Sequence, residues 1–245
     1  MTSINPEIKI FSTTESNSEK LAELFFKKSE DYYHSKKKLY VAISGGNTPQ
    51  IFFNKLVENY KETIRWNNIC FFWVDERCVA PADSDSNYGM TKQYLFDKIQ
   101  IPEENIFRVQ GENDPLKEAV RYSSVIKKYV PERNNIPSFD LTILGMGNDG
   151  HTASIFPDQL QLLKSDKICE TAVHPITLQK RITLTGTIIN NSSQIVFFVT
   201  GENKSKILAD ILHLSENSKS FPASYIKPVD GKLSWYLDKD AASSL

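Results

Sequence analysis

Residues 139–157 read Phe-Asp-Leu-Thr-Ile-Leu-Gly-Met-Gly-Asn-Asp-Gly-His-Thr-Ala-Ser-Ile-Phe-Pro. The first part, Leu141 to Leu144, is a short apolar run of strand formers. Gly145, Gly147 and Gly150 then interrupt it, with Asn148, Asp149 and His151 set among them. A strand that ends in glycines and then presents Asp and His places polar groups rather than filling a core. Glycine lets the backbone turn sharply and brings its N–H groups close to a ligand. In open parallel sheets, ligands bind beyond the carboxyl ends of the strands. The active site is expected here, with His151 as its most reactive side chain.

Three further junctions share this grammar. The β-rich run Leu39–Ile43 breaks into Ser44-Gly-Gly-Asn-Thr-Pro49, and residues 50–59 read as a helix with Pro49 near its first position. A strand, a glycine turn and a helix N-terminus together form an anion site, to which the Ser44 and Thr48 hydroxyls can add hydrogen bonds. The buried-strand run 69–74 ends in Asp75-Glu76-Arg77, read as a second loop at the same edge. Those charges either pair with one another at the surface or serve a site. Residues 194–199 form another buried strand and end in Thr200-Gly-Glu-Asn-Lys204, which places a lysine in the first turn of the next helix. A cation there opposes the helix dipole, and a bound anion would remove the cost.

Other runs fill in the pattern. Residues 8–11, 106–109, 168–173, 182–184 and 233–237 read as strands. Helices are expected after a cap at Ser16 or Ser18, over 88–99, over 115–130 and through 207–212. In the helix at 115–130, Leu116, Ala119, Val120, Ser123 and Ile126 line one face. Residues 181–185 alternate polar and apolar, so one of their faces is wet or turned to a site. Strands and helices alternate throughout. That predicts an α/β chain with a Rossmann-like, open, parallel-rich sheet covered by helices on both faces. No linker, repeat or low-complexity stretch divides the chain, so residues 1–245 are read as a single domain.

Composition excludes several classes. The chain has 245 residues, 40% hydrophobic, with a formal net charge of −1, so no global field draws in nucleic acid or an acidic membrane. The three cysteines are an odd count without metal-ligand spacing, which argues for a reducing compartment. Residues 1–7 carry no secretory pattern, and no run is long enough to span a bilayer. The expectation is a cytoplasmic protein, monomeric or weakly dimeric, with no metal and no cofactor.

The four junctions converge if their strands are parallel. They would then offer Arg77, Lys204, hydroxyls, backbone N–H groups and one His, with Arg181 as a further cation. This set suits a phosphorylated small molecule. Neutral imidazole is available near pH 7, so His151 is the natural proton handler. Asp149 can fix its tautomer. His34, His174 and His213 lack such a setting and are read as structural or exposed. The metal motif His-Glu-x-x-His and the serine elbow Gly-x-Ser-x-Gly are both missing.

Taken together, Ser44-Gly-Gly-Asn-Thr-Pro49, Val74-Asp-Glu-Arg77, residues 144–157, Arg181-Ile-Thr-Leu-Thr185, Thr200-Gly-Glu-Asn-Lys204 and Trp235-Tyr-Leu-Asp238 resemble the 6-phosphogluconolactonases. The resemblance implies hydrolysis of 6-phosphogluconolactone to 6-phosphogluconate in the oxidative pentose phosphate pathway, without metal or organic cofactor. It makes His151 the base that activates water and Asp149 its orienting partner. Phosphate and substrate would be held by Ser44, Gly45, Gly46, Thr48, Arg77, Gly147, Asn148 and Lys204, with a lesser part for Arg181, while Asp75 would position the substrate or the loop. The related glucosamine-6-phosphate deaminases share the Asp-Gly-His core but continue with a Glu where this chain has Phe156. A phenyl ring cannot take a proton, which argues against deamination. A non-catalytic sugar-phosphate sensor is the other alternative, and the presence of both Asp149 and His151 argues against it.

Overall fold

A computed structural model describes residues 6–245; the reading of the first five residues as free of a leader pattern lies outside them. The chain begins with strand β1 (Glu7–Phe11), helix α1 (Thr14–His34), β2 (Leu39–Ile43), α2 (Asn47–Tyr60) and β3 (Ile69–Trp73). A short strand β4 (Asp75–Arg77) follows, then α3 (Asn87–Tyr94), β5 (Ile106–Phe107) and α4 (Pro115–Tyr129). A small hairpin, β6 (Glu132–Arg133) and β7 (Ile136–Pro137), leads into β8 (Leu141–Leu144). The last part contains β9 (Cys169–Val173), β10 (Lys180–Leu184), α5 (Gly186–Asn190), β11 (Gln194–Val199), α6 (Ser205–Leu212) and β12 (Lys232–Asp238).

Seven strands form one sheet in the order β1-β12-β11-β8-β2-β3-β5. Every neighbouring pair in it is parallel. Every residue of β3 and β8 is buried, so both faces of the sheet are covered, as parallel sheets require. On one face Phe25 of α1 packs on Phe52 of α2 and on Phe71 of β3. From β2 the chain builds outward to β3 and β5. It then returns to the other side of β2 at β8 and continues to β11 and β12. The direction of winding therefore reverses between β2 and β8, and a crevice opens at such a point beyond the strand ends. The glycine turns after β2 and β8 both emerge there.

Several local readings change. The cap of α1 is Thr13, whose hydroxyl accepts from Ser16 N while the Ser16 hydroxyl accepts from Thr13 N, a reciprocal capping box. Helix α2 starts at Asn47 with Gly46 before it, three residues earlier than expected. The stretch read as a helix over 88–99 is α3 plus a separate 3₁₀ turn, Phe96–Lys98, with the break at Leu95. The strand expected over 106–109 shrinks to Ile106–Phe107. In α4 the buried face is Glu118, Ala119, Tyr122 and Ile126, while Leu116 and Val120 stand 69% and 68% exposed. Hydrogen bonds decide that face: the Tyr122 hydroxyl donates to Trp73 O and accepts from Trp73 N, and Glu118 accepts from Gln110 N and Arg121. Asp75–Arg77 is a strand rather than a loop. With β10 and β9 it forms a three-stranded antiparallel sheet in the order β4-β10-β9.

Candidate active site

The four junctions meet around one cavity of about 260 Å³. Ser44, Gly45, Gly46, Thr48 and Pro49 form one wall. Gly145, Met146, Gly147 and His151 form the next, Thr200 and Lys204 a third, and Asp75, Arg77, Asn87 and Arg181 the last. Its size lies near the lower bound of about 300 Å³ usual for small-molecule sites. No helix among the described residues is long and apolar enough to cross a membrane.

The turn after β2 is pinned to β8. The Ser44 hydroxyl donates to Ile143 O across to β8, which locks the two strand ends together. Gly46 has φ +107°, a value that favours glycine, and it swings the chain into α2. No side-chain cap bond closes that helix among the described residues, and the positive end of its dipole stands at the turn. Thr48 and Thr200 hydroxyls lie 3.2 Å apart, joining this turn to the one after β11. That second turn has Gly201 at φ +92° and is anchored by the buried Asp238, whose carboxylate accepts from Gly201 N and Ala241 N.

The turn after β8 presents the imidazole. Gly147 N donates to His151 O at 2.9 Å, so the Asn148–Gly150 segment folds back tightly. Gly150 takes φ +78° to make that turn. The Asp149 Oδ1 accepts from His151 N at 3.1 Å and meets His151 Nδ1 at 2.5 Å. A carboxylate on Nδ1 holds the proton there and leaves Nε2 as the nitrogen able to accept one. Burial alone pushes the Asp149 carboxyl up, but the His151 hydrogen bond and charge outweigh it, and the net shift is downward. The His151 side chain keeps 30% exposure, and the buried Phe156 ring backs it with centroids 4.8 Å apart.

The cations are held at a cost. Arg77 and Arg181 are register partners across β4 and β10, so the two guanidinium groups emerge on one face. Burial lowers the Arg181 pKa, and the Arg77 charge lowers it further. The Nε atoms of both arginines are buried without a partner. Asp75 Oδ2 sits 4.0 Å from Arg181 Nη1 and accepts from Ser154 Oγ at 2.6 Å. Two guanidinium groups brought together on the cavity lining form a cationic patch suited to an anion. On the other side, burial lowers the Lys204 pKa while the Asp149 charge raises it, and its ammonium donates to Asn148 Oδ1.

Of the residues read from sequence, Ser44, Gly45, Gly46, Thr48, Asp75, Arg77, Gly147, His151, Arg181 and Lys204 line the cavity. Asp149 acts on it through His151, and Asn148 through Lys204. Lys204 stands in a 3₁₀ turn, Glu202–Lys204, just before α6 rather than in the helix itself. Sequence reading gave no role to Asn87 or Met146, and took Thr200 only as part of its turn. His174, read as structural or exposed, does not line the cavity; its ring packs on Phe156, 5.1 Å from the phenyl centroid. A Ser-Asn pair at a helix start was the signal available for Asn87.

The model of the family described as glucosamine-6-phosphate isomerases/6-phosphogluconolactonase matches residues 12–235. The chain belongs to this family. Among its relatives, the 6-phosphogluconolactonase of Aggregatibacter actinomycetemcomitans is 41% identical over 207 residues, 84% of this chain and 87% of that one. The crystal structure of a devB protein superposes with a TM-score of 0.92 at 36% identity, covering 98% of this chain and 99% of the other. The 6-phosphogluconolactonase of Thermotoga maritima superposes with a TM-score of 0.83 at 29% identity, covering 96% and 100%. The family description spans two chemistries, so the site itself must separate them. Phe156, which packs on His151, occupies the position that the resemblance assigns to a carboxylate in the deaminases.

Proposed function

We propose that this chain, acting as one domain, hydrolyses 6-phospho-D-glucono-1,5-lactone to 6-phospho-D-gluconate in the oxidative pentose phosphate pathway. The observation that carries the reading is the 2.5 Å contact of Asp149 with His151 Nδ1, in a cavity that is also lined by the paired arginines Arg77 and Arg181. The names of the relatives support the same substrate. Arg77, Arg181, Lys204 and the turn of Ser44, Gly45, Gly46 and Thr48 bind the phosphate and orient the sugar. His151 Nε2 takes a proton from water, and the resulting hydroxide attacks the lactone carbonyl. Backbone N–H groups or a nearby cation steady the tetrahedral oxyanion. The bond to the ring oxygen then breaks, and the departing alkoxide takes the proton back from Nε2. The Asp149 carboxylate stabilises the imidazolium in between. No step calls for a metal or organic cofactor.

The test is direct. Purified protein is given freshly made lactone beside an enzyme-free control, because such lactones open unaided. Hydrolysis well above the control is expected. Ammonia released from glucosamine 6-phosphate with no lactone turnover would replace this reading with deamination. Binding without either reaction would make the chain a sensor.

A further inference from the structure

Glu76, between the cavity residues Asp75 and Arg77, is a carboxylate that the chemistry above leaves without a task. Its side chain is buried, at 2% exposure. Oε1 accepts from Arg77 N at 2.8 Å and from Asn87 N at 2.7 Å. Oε2 accepts from Tyr88 N at 2.8 Å and from Ser86 Oγ at 3.3 Å. These donors come from the two ends of one loop, which leaves β4 at Arg77 and enters α3 at Asn87. A single carboxylate thus closes the loop at its neck. The Arg77 side chain adds a second tie by donating to Asp85 O.

Both neck residues reach the cavity. Arg77 supplies one of the paired guanidinium groups. Asn87 Nδ2 donates to Asp75 O at 2.9 Å, and its amide lies directly over Gly45. A methyl group on Gly45 would stand 1.8 Å from Asn87 Oδ1, so the anion-binding turn and this side chain are fitted to each other. Moving Asn87 would therefore disturb the turn as well as the loop.

We propose that Glu76 is a positioning residue for substrate binding, gathering N–H groups from both ends of the 77–87 loop so that Arg77 and Asn87 hold the shape of the cavity's anion-binding side. The inference rests on the sugar-phosphate reading above. Burial pushes the carboxyl up to about 7, the Asp75 charge pushes the same way, and the N–H groups of Tyr88, Asn87 and Arg77 pull it down. The other charged or titratable groups facing it are Arg181 on β10 and Cys78. Protonation occupies a lone pair and deprives one N–H of its partner, which loosens the neck.

The test is Glu76→Gln in the full chain. The amide keeps the volume but turns an N–H₂ toward donors. KM for the lactone at about pH 8 is expected to rise about tenfold with kcat within about threefold, the pattern of lost ground-state binding. The KM ratio between variant and wild type should shrink toward one as pH falls and the wild-type carboxyl protonates. A folded Glu76→Gln protein with wild-type KM overturns the proposal. If the variant does not fold, amide exchange in the wild type decides. The Asn87 and Tyr88 amides should exchange far more slowly than those of residues 80–84, and equal rates overturn it. If the wild type does not hydrolyse the lactone, the functional reading fails separately. The affinity for inorganic phosphate then serves, with about a tenfold loss expected in Glu76→Gln and an unchanged affinity overturning the role.

Discussion

Gly147→Ala is expected to lower kcat about 100-fold while leaving the fold intact. The new methyl would stand 2.1 Å from His151 Nδ1, 2.2 Å from Cε1 and 2.7 Å from Asp149 Oδ1. Unbonded heavy atoms rest about 3.5 Å apart, so the imidazole must retreat by about 1.4 Å. A displacement of about 1 Å in a reacting group can cost about 100-fold, which corresponds to about 2.7 kcal/mol in the barrier. Gly147 does not hold a positive φ, so alanine fits its backbone and the turn need not break. The substitution removes no functional group; it only moves one pair. The assay is initial lactone hydrolysis with the spontaneous rate subtracted, alongside thermal melting and 6-phosphogluconate binding. A variant that melts normally, binds product normally and turns over at the wild-type rate would refute the claim that the Asp149–His151 pair must sit where it does.

Other outcomes follow from the same geometry. Arg181→Ala removes one charge-assisted donor set and should raise KM about 10- to 100-fold, read by steady-state kinetics, with kcat little changed. Asp238→Ala leaves the N–H groups of Gly201 and Ala241 and the hydroxyl of Thr14 unpaired. It should cost about 2–4 kcal/mol and lower Tm by about 5–15 °C in a thermal melt. The Glu76 carboxyl is raised to about 7 in the fold from an ordinary 4.5. Its stabilising contribution is therefore fully present below about pH 4.5 and is lost as pH rises through about 7. Denaturant unfolding should show wild-type stability falling by about 3 kcal/mol, relative to Glu76→Gln, across that window.

The glycine-bearing turns were legible because their information is local. Gly46, Gly150 and Gly201 hold positive φ, and each follows a strand whose apolar run is plain in sequence. The parallel sheet followed from the alternation of elements. Strand order did not, because adjacency of β2 and β8 is set by packing over nearly a hundred intervening residues. β4 was read as a loop since three consecutive charges carry no strand propensity. Only its pairing with Arg181–Thr183 makes it a strand. The face of α4 was misjudged for a related reason. Periodicity favours Leu116 and Val120, yet hydrogen bonds turn Tyr122 and Glu118 inward and leave Leu116 and Val120 in solvent. Asn87 and the Glu76 neck stayed hidden because their partners are mostly backbone groups, which leave no trace in residue type. The cavity's chemistry was thus readable where the side chain itself acts, and not where it only holds other groups in place.

The central claim is that His151 is the base on which turnover depends and that binding does not need it. The direct measurement compares His151→Ala with the wild type for lactone hydrolysis and for 6-phosphogluconate affinity in the same buffer. Turnover should fall by about 10²- to 10⁴-fold, toward the enzyme-free rate, while affinity stays within about threefold. Hydrolysis by His151→Ala at the wild-type rate would contradict the account.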